Sequence, residues 1–152
     1  MASRKGRQLI WRVFVKTQTT ALLLALTATP STACFISKPR DFAVFREAEV
    51  IISARVTRYE KQPASHIAIF ALEVVETHRG PHGIREWTAR WQNSSFAEPD
   101  RWDGPTDVIV GLKAVIDYDG IARIEVVQQS CGPTSILADT PRNLQQIVDA
   151  LR

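Results

Sequence analysis

Apolar and polar side chains alternate along much of this chain from Ala48 onward, and the period of that alternation predicts its elements. Ala48 to Tyr59 places Val50, Ile52, Ala54 and Val56 against Glu49, Ser53, Arg55 and Thr57, the period of two of a half-buried strand. His66 to Thr77 alternates less cleanly, since Ala68, Phe70, Leu72 and Val74 face Ile67, Ile69, Ala71 and Glu73, which reads as a strand covered on both faces. Gly80-Pro81-His82-Gly83 signals a turn. Arg85 to Gln92 then sets Trp87, Ala89 and Trp91 against Glu86, Thr88 and Arg90, and a polar loop follows from Asn93 to Pro105. Thr106 to Ile116 and Ile121 to Val127 supply two more strands, joined by a tight hairpin at Asp119-Gly120.

The period changes near the C-terminus. Thr140 suits an N-cap and Pro141 the first helical position, and Leu144, Ile147, Val148 and Leu151 form one apolar helical face. Upstream, Cys34 to Pro39 reads as an extended arm and Asp41 to Ala48 as a short helical turn. Five strands followed by one helix, with no βαβ alternation, predict an all-β fold with one C-terminal helix: a five-stranded antiparallel barrel plugged or flanked by that helix.

The first 33 residues differ in kind. A basic stretch to Lys16 precedes the apolar centre Ala21 to Ala28, Pro30 breaks it, and Ser31 and Ala33 are the small residues a signal peptidase accepts before Cys34. Residues 1–33 therefore read as a secretory signal and 34–152 as one exported domain, periplasmic or secreted. Two alternatives stay open: an uncleaved anchor, because 17–37 carry no charge, and lipidation of Cys34, because Ser-Thr-Ala-Cys ends like a lipoprotein box. The net charge changes meaning at the same boundary. Of 19 basic and 16 acidic residues, five basic and no acidic ones lie in 1–33, leaving 14 − 16 = −2 on the remainder. That balance argues against a nucleic-acid partner. The 119 residues from Cys34 onward (152 − 33) suffice for one core.

Export also gives the two cysteines a reading. Cys34 and Cys131 are an even pair in a compartment where disulfides persist, so a bridge between them is expected. Closing so long a loop would contribute about 4–5 kcal/mol by chain entropy. A catalytic thiol would need a base, and no spacing singles out His66, His78 or His82.

Several of these stretches resemble the netrin-like domain, an OB-type five-stranded barrel shared by tissue inhibitors of metalloproteinases, netrin C-terminal modules and secreted bacterial proteins. The likeness lies in Cys34, in Phe42 with Ala48 to Val56, in Phe70 to Val74 ending in His78-Arg79-Gly80, and in Cys131 with the closing helix. It covers most of 34–152, chiefly as hydrophobic pattern. Phe35 and Ile36 follow Cys34 where the inhibitors have further cysteines, and Gln92 to Trp102 lacks the mid-barrel Cys of many relatives. The resemblance implies an OB-type barrel. It also implies one specific chemistry, in which the free amine and carbonyl of Cys34, followed by Phe35, chelate the zinc of a target protease.

Other candidate chemistry is sparse. Trp87, Trp91 and Trp102 with Phe96 and Arg90 read either as core packing or as an aromatic ligand surface beside the 93–105 loop. His78 and His82 are separated by Gly80-Pro81, which removes helical ligand geometry, and Asp117-Asp119-Gly120 lacks the later ligands of a calcium loop. Asn93-Ser94-Ser95 matches a glycosylation acceptor. Carboxylates are scattered, and phosphate loops and nucleophile elbows are absent. The sequence thus predicts a non-catalytic exported binding module with neither cofactor nor metal. Its expected partner is a protein, a metalloprotease included, or an envelope component, with membrane attachment only through a lipidated Cys34 or an uncleaved signal.

Overall fold

A computed structural model describes residues 39–63, 65–92, 99–130 and 132–152. A 3₁₀ turn at Phe42–Glu47 leads into strands β1 (Val50–Lys61), β2 (Ile67–Arg79), β3 (Glu86–Gln92), β4 (Asp107–Ile116), β5 (Ala122–Val126) and the two-residue β6 (Leu137–Ala138), and helix α1 (Pro141–Leu151) ends the chain. The strand order is β1-β2-β3-β5-β4, and β4 pairs back onto β1, which closes a five-stranded barrel of the OB type. Irregular pairing at Ile51/Ile52, Ser53/Ala54 and Val56/Arg58 lets the long β1 bend far enough to serve both β2 and β4.

The expectation of an all-antiparallel barrel is corrected. Pairing of β3 with β5 is parallel, through Arg90 and Glu125, while the other pairs are antiparallel. Closure itself requires this. Strand directions cannot alternate all the way around a ring of five, so one neighbouring pair must run the same way. The pattern also did not predict β6, which pairs Leu137 and Ala138 with Ile109 and Val108 along the edge of β4 beyond the end of β5.

Two apolar layers hold the fold. Inside the barrel, Val50, Ile52 and Ala54 of β1 meet Ala68, Phe70 and Leu72 of β2, Ala89 and Trp91 of β3, and Val108, Val110 and Leu112 of β4. Outside it, Ile51 and Ile109 project the opposite way and are covered by Phe45, Leu137 and Ile147. The alternation of β1 therefore serves two cores, one on each face. Helix α1 docks by Ile147, with Leu144 and Leu151 beside it, whereas Val148 sits at the margin at 39% exposure. Its start is fixed as expected, since the Thr140 Oγ1 accepts from the Asn143 N–H at 3.2 Å. Arg46 ties the 3₁₀ turn to the helix end by donating from Nε to the Ala150 carbonyl at 2.6 Å. The outer face of β1 and β4 is thus roofed by the 3₁₀ turn, β6 and α1. Nothing among the described residues roofs that of β2, β3 and β5. Among the described residues, no helix is long and apolar enough to cross a membrane.

Candidate functional site

The tryptophans do not form one surface. Trp91 is 4% exposed and points into the barrel, where its ring lies 6.0 Å from Phe70 and 6.3 Å from Trp102. Trp102 also meets Phe70 edge-on at 5.0 Å and Tyr59 at 6.0 Å, so these four rings plug one mouth of the barrel. Their polar handles are satisfied internally. The Trp91 Nε1–H donates to Gln128 Oε1 at 3.2 Å, Trp102 Nε1–H to the Pro105 carbonyl at 2.9 Å, and the Tyr59 hydroxyl to the Pro99 carbonyl at 2.7 Å. Gly104 is needed there, because a Cβ would stand 2.2 Å from the Trp102 ring. Trp87 shares the inward face of β3 with Trp91 but lies toward the other mouth, beside Val50, Pro81 and Leu112, in a small cavity of about 190 Å³.

Arg90 leads elsewhere. On the alternate face of β3 it turns outward onto the unroofed side of the barrel. There a groove of about 550 Å³ has Ile67 and Ile69 of β2, Thr88 and Arg90 of β3 and Ala122 and Arg123 of β5 as its floor. Gln62, from the β1–β2 connection, and Tyr118, from the β4–β5 hairpin, flank it. In OB-type barrels generally, the strand 2–3 face between these two connections is where ligands lie.

Asp117 organises this groove. Its Oδ2 accepts from Arg90 Nη1 at 2.6 Å and from Arg123 Nε at 3.0 Å, and its Oδ1 accepts from the Tyr118 N–H at 3.1 Å. Arg123 donates a second bond, from Nη2 to Asp119 Oδ2 at 2.8 Å, and Glu125 lies 3.9 Å from Arg90. Side-chain exposures of 15% for Arg90 and 21% for Asp117 keep this cluster partly shielded from water, where such pairs hold better than on an open surface. The Arg90 hydrogen bond, foremost, holds the Asp117 carboxyl below its ordinary range against the opposing effect of burial, and the Asp119 hydrogen bond raises Arg123. The hairpin itself closes by Gly120 N–H to Asp117 carbonyl at 2.8 Å, with Gly120 at φ 77°. The loop is therefore pinned from both sides, yet it carries Tyr118 fully exposed.

Other sequence candidates resolve differently. Asp117 and Asp119 are spent on arginines and a hairpin, and among the described residues no three His, Cys, Asp or Glu side chains converge to hold a metal. His78 is not an isolated turn residue: its Nε2 is hydrogen-bonded to Ser53 Oγ at 2.8 Å, with Glu76 3.8 Å from Nδ1. That trio has the composition of a nucleophile, base and orienter, but Ser53 is 3% exposed in mid-strand and lines none of the cavities above, so it is a buried hydroxyl satisfied by a histidine. Cys34, Phe35, Cys131, Phe96 and Asn93-Ser94-Ser95 lie outside the described residues.

Tyr118, Arg123 and the pairing of Asp117 with Arg90 escaped sequence reasoning, which finds Arg90 beside the tryptophans and reads Asp117-Asp119-Gly120 only against a calcium loop and as a hairpin turn. The available signal was the aromatic between two aspartates at its tip, together with isoleucines on the wrong face of β2. In comparisons with known proteins, no family model and no curated protein matches this chain.

Proposed function

We propose that this chain is an exported, non-catalytic binding module of netrin-like character whose ligand lies on the outer face of β2, β3 and β5. The observation that supports it most is the asymmetry of the barrel exterior. One outer face is sealed by Phe45, Leu137 and Ile147, while the other leaves Ile67 and Ile69 half-exposed beside a pinned hairpin. Half-buried isoleucines flanked by oriented hydrogen-bonding groups are what a ligand face needs and what a solvent face does not. The leader pattern of 1–33 supports export, and the charge of −2 on the remainder weighs against nucleic acid.

Paired substitutions test this reading. Ile69→Glu places a charge in the groove, and Val148→Glu places one on the roofed side. The protein is offered four probes: a neutral hexasaccharide, an acidic oligosaccharide, an unstructured peptide and a single-stranded oligonucleotide. The probe that binds is expected to lose about tenfold or more in affinity with Ile69→Glu and nothing with Val148→Glu. Binding indifferent to Ile69→Glu, in a variant whose circular dichroism is unchanged, overturns the reading.

A further inference from the structure

We infer that the occupant of this groove is a neutral oligosaccharide, an inference that rests on the groove being the ligand face. Charge comes first. Among the described residues, Arg90 and Arg123 are the cations lining the groove, and both are already engaged, by Asp117 and by Asp119, with Glu125 close to Arg90. Two cations against three carboxylates leave no positive excess to recruit a phosphate or uronate chain. A basic peptide, conversely, would have to displace guanidinium groups that the carboxylates hold at 2.6–3.0 Å.

What the groove does present is alternating chemistry at close quarters. The Gln62 amide and Thr88 hydroxyl each donate and accept, the guanidinium of Arg90 lies among them, and Ile67 and Ile69 form an aliphatic strip. Vicinal hydroxyls on a pyranose match the first set, and its C–H face matches the second. Tyr118 supplies the remaining element, a flat ring, fully exposed, whose backbone is anchored through its N–H to Asp117. With only two side-chain torsions to fix, a tyrosine loses comparatively little freedom when a sugar ring stacks on it. At about 550 Å³ the groove falls within the usual size of ligand sites, with room for more than one sugar ring.

Calorimetric titration of the full chain with cellohexaose, chitohexaose and maltohexaose tests the inference, with a heparin oligosaccharide and an unstructured peptide as contrasting probes. At least one neutral hexasaccharide is expected to bind, with an affinity that does not change with salt. Tyr118→Ala is expected to weaken it about tenfold, and Tyr118→Trp to preserve it. Because Tyr118 is wholly exposed, neither variant threatens the fold. Failure of all three neutral sugars overturns the inference, and so does sugar binding that Tyr118→Ala leaves intact. Amide shifts recorded in parallel separate the two levels. A heparin oligosaccharide or peptide that moves Ile67, Ile69 and Tyr118 overturns the sugar but keeps the groove. A sugar that moves only α1 or the turn at His82 overturns the groove as well.

Discussion

Asp117 carries more of the open face than any other residue, because one carboxylate fixes two guanidinium groups and the hairpin that bears Tyr118. Its pH behaviour follows from that. The Arg90 hydrogen bond lowers its pKa in the folded state from the ordinary 3.8. The stabilisation it gives is therefore fully present above that value and is lost as pH falls below it, through the depressed folded value. Asp100, lowered by its hydrogen bond to Lys61, adds a contribution of the same sign. Urea unfolding of wild type and Asp117→Asn across the acid range is expected to show a shallower loss of stability in the variant, with Asp100 common to both. An identical acid slope in the two proteins would contradict this assignment. Gly120 is the complementary residue. Its φ of 77° and open surroundings mean that Gly120→Val strains the backbone without a clash, and faster amide exchange confined to residues 117–121 is the expected sign.

At the level of elements, the 99–106 segment does what a helix does in many barrels, with a single side chain. Trp102 stoppers the mouth against Tyr59, Phe70 and Trp91. Trp102→Ala is expected to destabilise the fold by about 3 kcal/mol in chemical denaturation and to reduce the near-ultraviolet dichroism of the ring cluster. The smaller change Trp102→Phe keeps the ring but leaves the Pro105 carbonyl without its donor, at a cost of about 1 kcal/mol. Helix α1 depends on its cap in a similar measure, and Thr140→Ala should cost about 1 kcal/mol. These elements were largely legible in the sequence. Period-two patterns found the five barrel strands, and the cap residues found the helix, because both signals are local. The uneven alternation of β2 was legible, and cover on both faces holds at Ala71, which is buried, but not at the start of the strand. Ile67 and Ile69 point outward and are half-exposed, so the extra apolar residues mark a groove.

For the whole molecule, closure sets what local patterns cannot express. The parallel β3–β5 pair follows from the parity of a five-membered ring, and the two residues of β6 are too few to carry any period. The candidate site was hidden for the same reason. Gln62, Ile69, Arg90 and Tyr118 lie on four separate stretches, and only the closed order β1-β2-β3-β5-β4 brings them to one face. The proposed function rests on the division of the exterior, among the described residues, into a roofed half and an open half. It is tested most directly by an amide chemical-shift map of the isotope-labelled protein titrated with neutral hexasaccharide. Shifts confined to Ile67, Ile69, Thr88, Arg90, Ala122 and residues 117–121 are predicted. Shifts centred on Phe45, Leu137 and Ile147, with the outer face of β2, β3 and β5 silent, would contradict it.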